Sequence, residues 1–137
     1  MNIAVAVDGS ESALRATRHA LMLVQHLPET QLEIIFVTDF NKVEDERLLT
    51  QSPKNLAAYQ KKNVQPVVKL AREVGVEPKV TLLKGHTGPT IIKYVNSSEV
   101  DQLIIGSRGL NAFKGLIFGS VSEKVVKRMS CPVTLVK

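Results

Sequence analysis

Residues 106–122 read GSRGLNAFKGLIFGSVS. Before them stands the short apolar run Gln102-Leu-Ile-Ile105, and after Ser120 the apolar positions take up a helical spacing. Gly106, Gly109 and Gly119 punctuate the stretch, with two residues between the first pair and nine between the second. Glycine lets a backbone turn through positive φ and approach a ligand closely. Between a strand and a helix start, such a loop is a phosphate-binding arrangement. The first helical N–H groups lack intrahelical partners there, and the helix dipole is positive. The rest of the chain reads as the scaffold that holds this loop.

Asn2–Val7 is continuously apolar after Asn2, as in a strand buried on both faces of a parallel sheet. Asp8-Gly9-Ser10 breaks it. Asp8 or Ser10 can cap the next helix, whose stripe runs Ala13, Leu14, Thr17, Ala20, Leu21 and Val24 before Pro28 stops it. Leu32–Val37 predicts a second strand. The polar connection 39–54 carries Asp39, Glu44, Asp45 and Glu46 but is not low-complexity, so it is not read as a linker between domains. A long helix is expected from about Asn55 to Val74, kinked or interrupted at Pro66 and stopped at Gly75. Val80–Leu83 predicts the third strand, 85–89 a turn, and Pro89 the first turn of a helix reaching about Asn96. Leu103–Ile105 is the fourth strand. A helix from Ser120 to about Met129 and a strand over 132–137 complete the chain. Five strands alternating with four helices predict a single α/β domain over residues 1–137. Its core is an open five-stranded parallel sheet with helices on both faces, Rossmann-like.

The totals agree with one soluble domain: 137 residues, 44% hydrophobic and 23% charged. No apolar run approaches the roughly 20 residues of a membrane span. The N-terminus lacks the pattern of a signal peptide, so a cytoplasmic protein without membrane partners is expected. A single cysteine, Cys131, excludes an intramolecular disulfide and a cysteine metal cluster, and reads as a buried filler. The net charge of +5 suits an anionic ligand without requiring one. Lys and Arg form no block, and aromatic residues make up 4%, too few for a stacking platform, so no nucleic-acid partner is expected.

In an open parallel sheet, ligands bind outside the carboxyl ends of the strands, where strand order reverses. Asp8, Asp39, His86, Arg108 and the glycine loop all fall at such ends. Ser120-Val-Ser-Glu123 is a capping box, so Ser120 can cap its helix, meet a phosphate through its N–H, or both. The loop is not a Walker A motif, and Asp8-Gly9-Ser10 lacks the dinucleotide glycine fingerprint. Conventional P-loop NTPases and NAD enzymes are therefore disfavoured.

Four features together carry a family resemblance. They are Ala4-Val-Ala-Val-Asp-Gly-Ser10, Gly106-Ser-Arg-Gly109, Gly119-Ser120 after nine residues, and the ending Cys131-Pro-Val-Thr-Leu-Val136. The chain resembles the universal stress protein family along its whole length, and its glycine spacing resembles the ATP-binding branch. The resemblance implies an adenine nucleotide alpha hydrolase-like fold and a homodimer joined near the last strand. It also implies ATP or AMP as ligand. Asp8, with the Ala6 and Val7 backbone, would meet adenine and ribose, and Val37 would present its backbone to adenine. Ile105 and Gly106 would floor the site, while Gly109, Gly119, Ser120, Val121 and Ser122 surround ribose and phosphates. Arg108 and Lys114 could screen phosphate charge or lie in solvent. Ala6, Val7, Val37 and Ile105 also read as strand core, and Asp8 as a cap. After Gly85 the family commonly has Asp or Asn and then Pro, whereas this chain has His86-Thr87.

The function expected is a nucleotide-binding regulatory protein of the stress response, acting through its dimer or an unknown protein partner. A slow Mg²⁺-dependent ATPase is the alternative, with Ser120, Ser122 and Asp8 as candidates to hold the metal. No general base or arginine finger is assignable, so hydrolysis is expected to be absent or slow. A third alternative, a dimeric interaction protein that binds no nucleotide, is disfavoured by the intact glycine spacing.

Overall fold

The structure is a computed structural model that describes residues 1–41, 52–107 and 120–137. The described elements are β1 (Asn2–Val7), α1 (Glu11–His26), β2 (Gln31–Thr38), α2 (Pro53–Glu73), β3 (Lys79–Lys84), α3 (Thr87–Asn96), β4 (Gln102–Gly106), α4 (Ser120–Arg128) and β5 (Val133–Val136). The sheet is parallel throughout, in the order β3-β2-β1-β4-β5. Chain order thus runs outward from β1 through β2 to β3, then jumps back to β4 on the other side of β1. The reversal falls between β1 and β4, where Ala6 lies opposite Ile105.

The period of two along β1 divides the core between the faces of the sheet. Ile3, Val5 and Val7 join Ile34 and Phe36 of β2 under α1 and α2. Ala4 and Ala6 join Ile35 and Ile105 under α3 and α4. Central strands buried on both faces need apolar residues at every position, which is why β1 and β4 read as continuous runs. Glu33 is the polar intrusion in β2. It is buried on the α3 face, where its carboxylate accepts from the hydroxyls of Thr81 and Tyr94, and Lys79 Nζ lies 4.0 Å away. Those partners satisfy a charge that burial would otherwise penalise.

Helix ends follow local chemistry. Ser10 caps α1, its Oγ accepting from Ala13 N at 3.2 Å, while Asp8 Oδ1 accepts from Ser10 N at 3.0 Å and forms the turn before it. Helix α1 ends ahead of Pro28. Helix α2 begins at Pro53, two residues before the expected start at about Asn55, because Ser52 caps it. It also continues through Pro66, where the sequence predicts a kink or an interruption. Pro66 and Lys62, whose carbonyl loses its helical donor, both lie on the exposed side, so water can take the missing bond. The helix stops at Gly75, φ +80°, with Val76 N on Ala71 O at 2.9 Å and Gly75 N on Arg72 O at 3.0 Å, a Schellman closure. Among the described residues no helix is long and apolar enough to cross a membrane.

Candidate functional site

Two helices are anchored on Gly106 at the end of β4. A Cβ built on Gly106 would overlap Ser12 Oγ, and would lie 2.9 Å from Ser12 O and 3.0 Å from Ser12 C. Only a residue without a side chain lets the first turn of α1 come this close. From the other side, Ser122 in the first turn of α4 is buried and donates its hydroxyl to Gly106 O at 3.2 Å. The N-terminal turns of α1 and α4 therefore converge on the carboxyl end of β4, beside the point where strand order reverses. Their dipoles both place partial positive charge there. This is the geometry that binds anions at strand ends.

A second group lies at the ends of β1 and β2. Tyr59 of α2 is half-buried, its ring 5.9 Å from that of Phe36 and inclined at 54°. Burial pushes its phenol above the ordinary tyrosine range, and the nearby carboxylates of Asp8 and Asp39 push it further in the same direction. Asp39 is buried: Oδ1 accepts from Asn41 N at 3.1 Å, and Oδ2 accepts from Thr87 N at 3.2 Å and Thr87 Oγ1 at 3.3 Å. It thus closes its own turn and ties the start of α3 to the end of β2, which is why that helix begins at Thr87 ahead of Pro89. Beside it the Thr38 hydroxyl is buried without a hydrogen-bond partner among the described residues. His86 is exposed, with Nδ1 3.4 Å from Asn41 Nδ2.

The model of the universal stress protein family matches residues 1–137. The chain belongs to the universal stress protein family. Among curated relatives, universal stress protein MJ0531 of Methanocaldococcus jannaschii is 27% identical over 138 residues, which cover 98% of this chain and 81% of the relative. The solved structure of MJ0577 from the same organism matches with a TM-score of 0.84 at 27% identity, over 99% of this chain and 94% of that one. A universal stress protein from Archaeoglobus fulgidus, solved in complex with dAMP, matches with a TM-score of 0.71 at 22% identity, over 100% of this chain and 98% of that one. At that identity the likeness is one of fold.

In this universal stress protein the candidates from the sequence fall into distinct settings. Ala6, Val7, Ile105 and Val121 are buried, their side chains in the core, so only their backbone can face a ligand. Val37 is half-buried at the margin of the α3 face. Asp8 is half-buried and holds the turn before α1. Gly106 and Ser122 are the packing contacts that join β4 to its two helices. Ser122 donates its hydroxyl proton to the Gly106 carbonyl and keeps its oxygen lone pairs. Arg108, Gly109, Lys114 and Gly119 lie outside the described residues, as does the side chain of Ser120. The Glu123 half of the capping box is seen with Oε1 accepting from Lys127 Nζ at 2.9 Å. Among the described residues no group of His, Cys, Asp and Glu side chains could hold a metal ion.

Sequence reading missed two contributors. Ser12 follows the recognised Asp8-Gly9-Ser10 turn by two residues, but nothing local shows that it meets Gly106. Tyr59 falls inside the long helix expected from about Asn55 to Val74, and only the packing of α2 over β2 brings its phenol near Asp8 and Asp39.

Proposed function

We propose that this chain is a nucleotide-binding regulatory protein of the stress response. It binds ATP, or AMP as its product, at the carboxyl edge of the sheet. The observation that carries the reading is the convergence of the α1 and α4 N-termini on Gly106, next to Asp8 at the strand-order reversal. Phosphates are stabilised by paired helix dipoles and unpaired helical N–H groups, and a ribose hydroxyl suits the Asp8 carboxylate. In the sequence Gly109 and Gly119 fall between β4 and α4, and the dAMP complex of a protein with the same fold supports an adenine ligand. The adenine lies against the Val7 and Val37 backbone. Nucleotide status is then reported through a homodimer joined at β5, whose four half-buried residues form an edge of the sheet.

Titration calorimetry with ATP, AMP and cyclic AMP tests the reading. Saturable heat with ATP or AMP is expected, and the absence of heat with all three at about 1 mM refutes it. Gly119→Val is expected to weaken ATP by about tenfold or more while leaving the melting temperature within a few degrees. Phosphate release no faster than from that variant is also expected, since the chain offers no assignable base. A monomer in sedimentation equilibrium at about 50 µM refutes the dimer.

A further inference from the structure

The edge of the sheet opposite β5 is β3, Lys79-Val-Thr-Leu-Leu-Lys84. Its inner side pairs with β2, and Gly85 N continues that ladder onto Thr38 O at 3.1 Å. Successive residues of a strand direct their backbone groups to opposite sides. Gly85, Leu83 and Thr81 therefore bond inward, and the N–H and C=O of Val80, Leu82 and Lys84 point out. Among the described residues nothing pairs with them. The side chains on this edge are also uncovered: Val80 is 40% and Leu82 47% exposed.

A groove flanks the edge on each face. Toward α2, a groove of about 230 Å³ is walled by Ala57, Val64, Val80 and Leu82, with Lys61 in its lining. Toward α3, one of about 450 Å³ is walled by Leu83, Pro89 and Tyr94 and carries Lys84 and Lys93. Lys61, Lys84 and Lys93 are exposed and form no ion pair among the described residues.

We propose that the outer edge of β3 is a docking site for an extended acidic peptide segment of a partner protein, which joins the sheet as an added strand. Main-chain bonds to Val80, Leu82 and Lys84 hold the segment, and its alternating side chains enter the two grooves, as in recognition by strand addition. Apolar residues fill the α2 groove, and carboxylates meet Lys84 and Lys93 in the α3 groove. Charge selects this occupant over a second copy. A copy paired through the same edge brings its own Lys79 and Lys84 against these lysines, and lysine on an edge strand discourages such pairing. An acidic segment gains from the same residues.

The test uses a fluorescein-labelled hexapeptide of alternating glutamate and valine, acetylated and amidated, with the full chain. Fluorescence anisotropy should show saturable binding below about 1 mM, and amide shifts should concentrate at Val80, Leu82 and Lys84. The same peptide N-methylated at alternate amides should bind roughly tenfold more weakly or worse. Leu82→Pro removes an outward N–H without touching the ladder to β2, and should cause a similar loss. The Lys84→Glu, Lys93→Glu double variant should prefer a lysine–valine hexapeptide. No saturation, equal binding of the acidic and basic peptides by the native chain, or indifference to N-methylation overturns the proposal. So does self-association of the chain that Leu82→Pro abolishes, which would assign the edge to a second copy. The N-methylated peptide needs no variant, so the test stands even if Leu82→Pro fails to fold.

Discussion

Gly106→Ala isolates the contact on which the site is built. The Gly106 φ lies outside the left-handed region, so alanine meets no backbone strain there, and its whole cost is steric. The added methyl overlaps Ser12 Oγ and presses on Ser12 O at 2.9 Å and Ser12 C at 3.0 Å. Two of those three atoms are backbone, so a side-chain rotation cannot clear them and the first turn of α1 must move. Overpacking of this kind costs about 1–3 kcal/mol. For 137 residues the unfolding entropy is about 0.29 kcal/mol/K, so each kcal/mol lowers Tm by about 3–4 °C and the variant should melt about 3–10 °C below the native chain. Adding Ser12→Ala removes the Oγ overlap alone. Ser12 is buried and has other interactions, so its single variant has its own cost, and a double-mutant cycle separates the two. The expected coupling is favourable by about 0.5–1.5 kcal/mol, a partial rescue. Differential scanning calorimetry measures stability, and titration calorimetry with ATP measures the displaced α1 terminus as weaker binding. A Gly106→Ala Tm within about 1 °C of native, or complete rescue by Ser12→Ala, would refute the reasoning.

Two further outcomes follow from the same edge. Ser122→Ala removes the hydroxyl that ties α4 to Gly106 O and should cost about 1–2 kcal/mol in urea unfolding, with weaker ATP binding; unchanged stability would mean that the bond is not formed in solution. For Tyr59, the raised folded-state value means that folding favours the neutral phenol. Its contribution is complete below about pH 10, where an unfolded tyrosine begins to ionise, and is lost as pH rises through the folded-state value. Tyr59→Phe should therefore lose less stability than the native chain as pH rises above about 10, and parallel pH profiles would contradict that assignment.

Much of the architecture was legible in local pattern. The unbroken apolar run of β1 marks a strand covered on both faces. Gly75 marks a helix end through its positive φ, and the spacing of Gly106, Gly109 and Gly119, with Asp8-Gly9-Ser10, marks the family. These signals survive in sequence because each depends on neighbours within a few residues: the pleat, the cap, the turn. Pro66 shows the limit even there, since its effect depends on which side of the helix faces water.

Contacts between elements were decided by tertiary structure alone. Gly106 reads identically whether a phosphate or the first turn of α1 requires its bare Cα, and packing shows that Ser12 occupies that space. Asp39 reads as the first acid of a polar connection at a strand end and proves to anchor α3 across 48 positions of sequence. Tyr59 gains its perturbed phenol only when α2 lies over the ends of β1 and β2. The strand order makes β3 an edge with grooves on both faces, although its residues read like those of any other strand. Periodicity says which face of an element is apolar. It carries no record of which other element will cover that face, because that choice is made by the fit of whole surfaces.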